Sequence, residues 1–414
     1  MVKIKSFKGI RPVPGKAQRI ASRPYDVLNK EEARHESAGN PWSFLHVIKP
    51  EIDLPDDVYE YSMEVYEKGR DNFRKLMSDG VLVQDAEDLL YIYAQTMNGK
   101  TQYGLVACAW VEDYMNDRIK KHELTRPDKE EDRKMHVRTS GMNYEPVFFT
   151  YPANAEIDRI VAEVVKHTPD YDFTSVDGFG HHFWVVRDKS TISRLTALFA
   201  EIPATYVADG HHRTAAAALV GNERKGANPD HRGDEEYNFF LAVHFPDNQL
   251  TIIDYNRVIR DLNGLTPQEL LEKLSTAFEV KNMGSEEYRP CALHNFSMYM
   301  QGEWYSLTAR EGFYNDDDPI GCLDVTILSG QVLTPIFDIT DLRKSKRIDF
   351  VGGIRGLGEL KRRVDSGEMV VAFALYPVSM DQLIRIADTG NIMPPKTTWF
   401  EPKLRSGLVI HSLD

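Results

Sequence analysis

The stretch that most constrains this fold is 206–220, which reads YVADGHHRTAAAALV. Thr205, Tyr206 and Val207 are strand formers, Gly210 suits a tight turn, and the run from Ala215 to Ala218 is built of the strongest helix former. A strand therefore ends at Asp209, turns on Gly210 and starts a helix. Asp209, His211, His212 and Arg213 crowd that junction, at a helix end whose free N–H groups and dipole favour anions. Arg213 can fork onto two phosphoryl oxygens, His211 and His212 can donate hydrogen bonds or accept a proton, and Asp209 can hold a metal or take a proton from a hydroxyl. A bare Asp-Gly ahead of a helix would read as a cap beside surface histidines. The density of ionisable groups before an apolar helix favours a phosphate-shaped site instead.

The rest of the composition sets limits. A chain of 414 residues with 42% apolar content can bury a core and build two or three domains. Its formal charge of −13 disfavours non-specific nucleic-acid binding, which needs a positive surface. The opening MVKIKSFKGIRP has no apolar core, and the longest apolar stretch, 370–378, is broken by Tyr376 and Pro377 and is too short for a bilayer. A cytoplasmic protein with no membrane association is expected. Cys108, Cys291 and Cys322 have no zinc-like spacing and an odd count, so they are expected to be core residues, or at least chemically silent.

The first fifty residues are punctuated by prolines, with a short helix at 29–36, and they hold Asp26 on a stiff turn beside Pro24. This segment is expected to pack over a site. A helix is predicted over 56–78. The clearest hairpin joins 89–97 to 101–111 through Asn98-Gly99, a pair that supplies the positive φ angles of a two-residue turn. A second polar cluster follows at 120–133, where His122, Glu123, Thr125 and Arg126 suit a phosphoryl or metal site; a solvated charged helix is the alternative. Strands at 144–151 and 181–186 alternate with helices at 155–167 and 191–202. A hairpin is predicted over 238–253, turning at Asp247-Asn248. A composition change at Asn263-Gly264 predicts domains 1–262 and 263–414. The later domain should hold a helix at 267–278, a hairpin at Gln301-Gly302, helices at 323–335 and 356–366, and a strand at 369–376. Lys396, Thr397 and Lys403, stiffened by neighbouring prolines, form a third polar cluster able to reach anions.

The Asp209–Arg213 turn with its alanine-rich helix resembles the signature of the ParB and sulfiredoxin superfamily, whose members hold nucleotide phosphates on such a strand-turn-helix. The set Pro24-Tyr25-Asp26-Val27, Asn40-Pro41 with Ser43-Phe44-Leu45, His122-Glu123 with Thr125, Ala208 to Arg213, Asp324-Val325, and Met393-Pro394 with Lys396 through Lys403 resembles the uncharacterised DUF1015 family in fixed order. The resemblance implies an α+β (mixed α/β) fold, with a ParB/sulfiredoxin-like core carrying insertions and a C-terminal α+β domain whose segment 393–404 returns to the site. The turn is also similar to that of free serine kinases in the same superfamily. Two relatives are disfavoured by departures: His211 stands where sulfiredoxins need a cysteine, and no basic helix-turn-helix of the ParB kind follows Arg213.

This resemblance implies a phosphotransferase forming O-phosphoserine from free L-serine, with ATP, ADP or pyrophosphate as donor and Mg2+ as the expected cofactor. Phosphoryl transfer needs positioned anions, charge neutralisation and a base near the acceptor. On this expectation Gly210, His211, His212, Arg213, His122 and Thr125 hold the donor phosphates, and Arg126, Lys396, Thr397 and Lys403 close over them. Asp209 contacts the metal or the acceptor, His211 assists, and Asp26 or Glu123 acts as base. The partner is a small molecule rather than a nucleic acid or membrane, with a homodimer one open possibility for the assembly. The alternatives are a regulatory protein that binds nucleotide or phosphate without turnover, and a phosphohydrolase.

Overall fold

The computed structural model describes residues 1–414 as two compact units, Met1–Leu250 with Pro402–Asp414, and Thr251–Glu401. The first crossing thus precedes Asn263, and the strand Tyr255–Ile259 belongs to the second unit. Both units mix helices with sheets in an α+β arrangement. No helix is long and apolar enough to cross a membrane.

The first unit is organised on one sheet of nine strands. They are β1 (Ile4–Lys5), β2 (Leu90–Met97), β3 (Lys100–Trp110), β4 (Ile119–Lys120), β5 (Val147–Tyr151), β6 (Tyr171–Thr174), β7 (Gly180–Val186), β8 (Thr205–Asp209) and β9 (Phe239–Pro246). The order is β4-β8-β5-β9-β3-β2-β7-β6, with β1 also on β3. Only β4 with β8 and β5 with β9 run parallel. The β2–β3 hairpin turns on Asn98 and Gly99, at φ +51° and +77°, with Met97 opposite Lys100.

Five longer helices accompany this sheet. These are α1 (Met63–Ser78), α2 (Pro127–Ser140), α3 (Ala155–Val164), α4 (Lys189–Phe199) and α5 (His211–Ala227). Helices α3 and α4 bury Ile157, Leu195 and Phe199 against Ile92, Leu105 and Trp184 of the sheet. Further along the same face Ala217 and Ala218 of α5 meet Val147, Phe149, Val207 and Phe240, with the His244 ring between Phe149 and Phe199. Alanine suits this place because its short side chain lets the helix backbone approach the strands. The predicted helix at 56–78 forms only from Met63, and the charged run folds as α2 from Pro127, with Asp132, Arg133 and His136 buried. Cys108 and Cys322 are buried but Cys291 is exposed, which corrects its expected place in a core.

The second unit carries a six-stranded antiparallel sheet: β10 (Tyr255–Ile259), β11 (Phe278–Gly284), β12 (Asn295–Met300), β13 (Glu303–Ala309), β14 (Ile348–Gly352) and β15 (Val371–Ala374). Its helix α6 (Gly356–Asp365) packs Leu357 and Leu360 onto Val258, Tyr299 and Trp304. The hairpin predicted over 238–253 does not form. Phe239–Pro246 is a strand of the large sheet, whereas Ile252–Ile253 pairs with Trp399–Phe400 in the second unit. Both halves have strand composition, but their partners come from elsewhere in the chain. The helix predicted at 323–335 is an α-helix only over Asp324–Leu328, with a π-helical turn at Ser329–Leu333.

Candidate active site

Asp209 is the last residue of β8, and Gly210 turns the chain into α5 at φ +92°. A Cβ on Gly210 would lie 3.1 to 3.2 Å from the Arg213 guanidinium, so this glycine serves both the left-handed turn and the close packing beneath it. No side chain caps α5. Its first N–H groups have no partner within the helix and make the junction receptive to an anion.

Two cations meet the Asp209 carboxylate. Lys403 Nζ donates to Oδ1 at 2.8 Å and Arg213 Nη2 to Oδ2 at 3.1 Å. Burial works to raise the Asp209 pKa, but Lys403 and Arg213 outweigh it and hold the group down at about 2. The other arm of Arg213 donates to the Pro146 carbonyl at 2.7 Å, and its Nε is buried without a hydrogen-bond partner. Burial disfavours the charged Arg213, yet Asp26, Glu145 and Asp209 more than restore it and raise its pKa.

The histidines form a buried wall. His122 and His211 meet edge to face at 4.5 Å, and neither nitrogen of His122 nor Nε2 of His211 has a hydrogen-bond partner. His211 Nδ1 lies 3.8 Å from Glu123 Oε2. Burial pushes His122 down to about 4 and His211 well below its ordinary value, so both are neutral at pH 7. His212 is half-buried, and its Nε2 accepts the Arg126 backbone N–H at 3.0 Å. This bond ties the start of α2 to the start of α5.

The other expected residues divide. Asp26 is exposed on a short 3-10 turn, Tyr25–Val27, and acts electrostatically on Arg213 and His212. The Arg126 side chain pairs with Asp128 at 2.7 Å, and Thr125 donates to Glu130 at 2.7 Å, so neither side chain points its donors at Asp209 in this state. Lys396 and Thr397 belong to the second unit. There Lys396 is exposed with its ammonium 5.6 Å from the Tyr255 ring centre, and Thr397 is buried with its hydroxyl donating to the Pro394 carbonyl at 2.6 Å.

Sequence reasoning missed Arg133, Glu145 and Tyr25. The Arg133 guanidinium lies 3.9 Å from the Tyr25 ring centre and 3.6 Å from Glu145, whose other oxygen accepts the Tyr25 N–H at 3.1 Å. Burial raises the Glu145 pKa against the pull of Arg213 and Arg133. A cavity of about 30 Å³ lies among Arg133, His136, Tyr144, Glu145 and Arg213, large enough for a small polar molecule such as water. The available signal was a lone carboxylate between Tyr144 and Pro146, just ahead of the apolar strand β5.

The site does not fit a metal ion on its own residues. No group of three or more His, Cys, Asp or Glu is arranged to hold one, and both oxygens of Asp209 face cations. The positive charge available to a phosphate is supplied by Lys403, Arg213 and the head of α5.

The family model described as Protein of unknown function (DUF1015) matches residues 4–326. No curated protein matches the chain. Among solved structures, a free serine kinase in complex with AMP is 14% identical with a TM-score of 0.34, covering 70% of this chain and 88% of that one. A conserved hypothetical protein from Pyrococcus furiosus is 14% identical with a TM-score of 0.34, covering 71% and 92%. SbnI with a C-terminal truncation, from Staphylococcus aureus, is 11% identical with a TM-score of 0.38, covering 74% and 87%. Superposition this loose carries no argument about chemistry.

Proposed function

The chain belongs to the family described as Protein of unknown function (DUF1015), and from the geometry of its own site we propose that it is a small-molecule phosphotransferase. The observation that carries this reading is the double clamp of Lys403 and Arg213 on Asp209, at the uncapped head of α5. A carboxylate held by two cations stands where a phosphoryl group would be held. A donor phosphate entering there takes over Lys403 and Arg213, gains the helix N–H groups, and releases Asp209 toward the acceptor. Such positioning and charge neutralisation make up most of what phosphoryl transfer asks of a protein.

The donor is a nucleoside triphosphate, a nucleoside diphosphate or pyrophosphate. The acceptor is a small alcohol, with L-serine first because the Asp209–Arg213 motif is similar to that of free serine kinases. His122 and His211, neutral and buried, exclude water from one side of the transferring group. Asp26 or Glu123 takes the acceptor proton as its oxygen attacks phosphorus and the bond to the leaving phosphate breaks.

Phosphorus NMR of the protein with each donor, with and without Mg2+, and with L-serine and other small alcohols, tests the proposal. A new phosphomonoester resonance that depends on the alcohol is expected. Donors that bind, by thermal shift, yet stay intact with every acceptor would favour a regulatory binding protein. Release of inorganic phosphate without an ester would favour a phosphohydrolase.

A further inference from the structure

Lys403 supplies one of the two cations on Asp209, yet it stands on a stretch with no helix or strand of its own. A lysine side chain has four rotatable bonds and loses much freedom when its ammonium is held in one place. Aiming it requires that its main chain be fixed, and the fixing groups are unusual for a sheet face.

Gln95, on β2, is fully buried, and its Nε2 donates to the Lys403 carbonyl at 2.9 Å. Its amide is oriented from the other end, because Gln102 Nε2 donates to Gln95 Oε1 at 3.1 Å. Two residues further along the strap the pattern repeats. The Arg405 N–H donates to the Tyr93 hydroxyl at 3.3 Å, and Tyr93 and Gln95, alternate residues of one strand, share a face of β2. The buried Arg405 guanidinium donates to Ser175 Oγ at 3.0 Å and pairs with Asp177. Ser406 exchanges backbone hydrogen bonds with Ser22 at 3.0 and 3.1 Å.

A buried amide costs stability unless both its ends are bonded, and both ends of Gln95 are. One of those bonds ends on the residue that carries the cation. We propose that Gln95 is a positioning residue for phosphoryl transfer: it fixes the main chain at Lys403 so that the ammonium points at Asp209 and at the phosphoryl oxygen that replaces it. The inference rests on the phosphotransferase reading.

A double-mutant cycle on pyrophosphate binding, read by calorimetry on the full chain, tests it. Gln95→Met keeps the length of the side chain and removes the donor. It should weaken pyrophosphate binding about tenfold, the scale of one lost charge-assisted contact. Lys403→Met should weaken it at least as much. The double variant should then bind no more weakly than Lys403→Met alone, since Gln95 acts through that lysine. If the two losses add, or if Gln95→Met binds as the wild type does, the inference is overturned. Should Gln95→Met fail to fold, Tyr93→Phe removes the neighbouring anchor while keeping the ring, and its smaller loss should likewise vanish in the Lys403→Met background. A wild-type chain that binds neither pyrophosphate nor ADP overturns the phosphotransferase reading itself, whereas binding with additive losses overturns only the role of Gln95.

Discussion

Asp209, which ends β8 just ahead of α5 in the first unit, and Asp324, which opens a short helix in the second, each have a histidine nearby, and they are held in opposite ways. Asp209 is gripped by Lys403 and Arg213, which keep it charged. The charged partner of Asp324 is His294: its Oδ1 accepts the His294 N–H at 2.9 Å and faces His294 Nδ1 at 3.3 Å. Burial accordingly raises the Asp324 pKa, and the bond to Asp324, with Asp316 beyond it, raises that of His294. His294 sits at φ +63°, stacked on Tyr314 at 4.0 Å between ring centres. Permanent cations make a carboxylate an anion-exchange position, whereas a titrating partner makes it proton-linked.

The sharpest way to break this comparison is to remove Arg213. Arg213→Ala leaves Asp209 and the buried Glu145 short of a counter-charge and should cost about 3–5 kcal/mol of stability, read by urea unfolding. A loss below about 1 kcal/mol would mean that the clamp is ornamental.

Lys403→Met spares the Arg213 contacts and isolates the site. Turnover should fall on the order of 10²- to 10³-fold, as when one charge-stabilising donor is lost, while His294→Gln leaves turnover unchanged. Equal losses in both variants would erase the distinction between the two aspartates.

Gly210→Ala tests the turn. A side chain at φ +92°, pressed to 3.1 Å from the Arg213 guanidinium, should cost about 1–2 kcal/mol and weaken pyrophosphate binding with it. Unchanged stability would show that the turn relaxes without cost.

The effects of pH run in opposite directions for the buried neutral histidines of the first unit and for His294 of the second. Burial pushes His122 to about 4 and His136, His181 and His244 to about 3, below the value of about 6.5 in an unfolded chain. The unfolded chain binds these protons first, so stability contributed by the first unit should fall as pH drops from about 6.5 toward 4. His294 has a raised pKa. Its contribution is fully present below about 6.5 and is lost as pH rises through its folded value. Urea midpoints at pH 5, 7 and 8.5, compared between wild type and His294→Gln, separate the two. A wild type that gains stability on acidification to pH 5 would contradict the buried neutral histidines.

Much of the fold was legible because its signals are local. Asn98-Gly99 announces its hairpin through the φ angles it favours, and the alanine run announces α5. The predicted 238–253 hairpin failed because strand composition says nothing of which strand is the partner. Within the site, the expected residues of the Asp209–Arg213 turn come together with Lys403, His122 and Glu123. Glu145 and Arg133 were hidden, one as a single carboxylate just ahead of an apolar strand and the other inside a charged run that looked solvated.

The sequence by itself determined the strand, the left-handed glycine and the helix that bring Asp209, His211, His212 and Arg213 to one junction, since neighbouring φ and ψ preferences are short-range energies. Only the tertiary structure decided that Lys403, 194 residues away, would reach Asp209, and that Gln95 would hold it there. Such contacts follow from how sheet and strap pack in three dimensions, and no period in the chain encodes them.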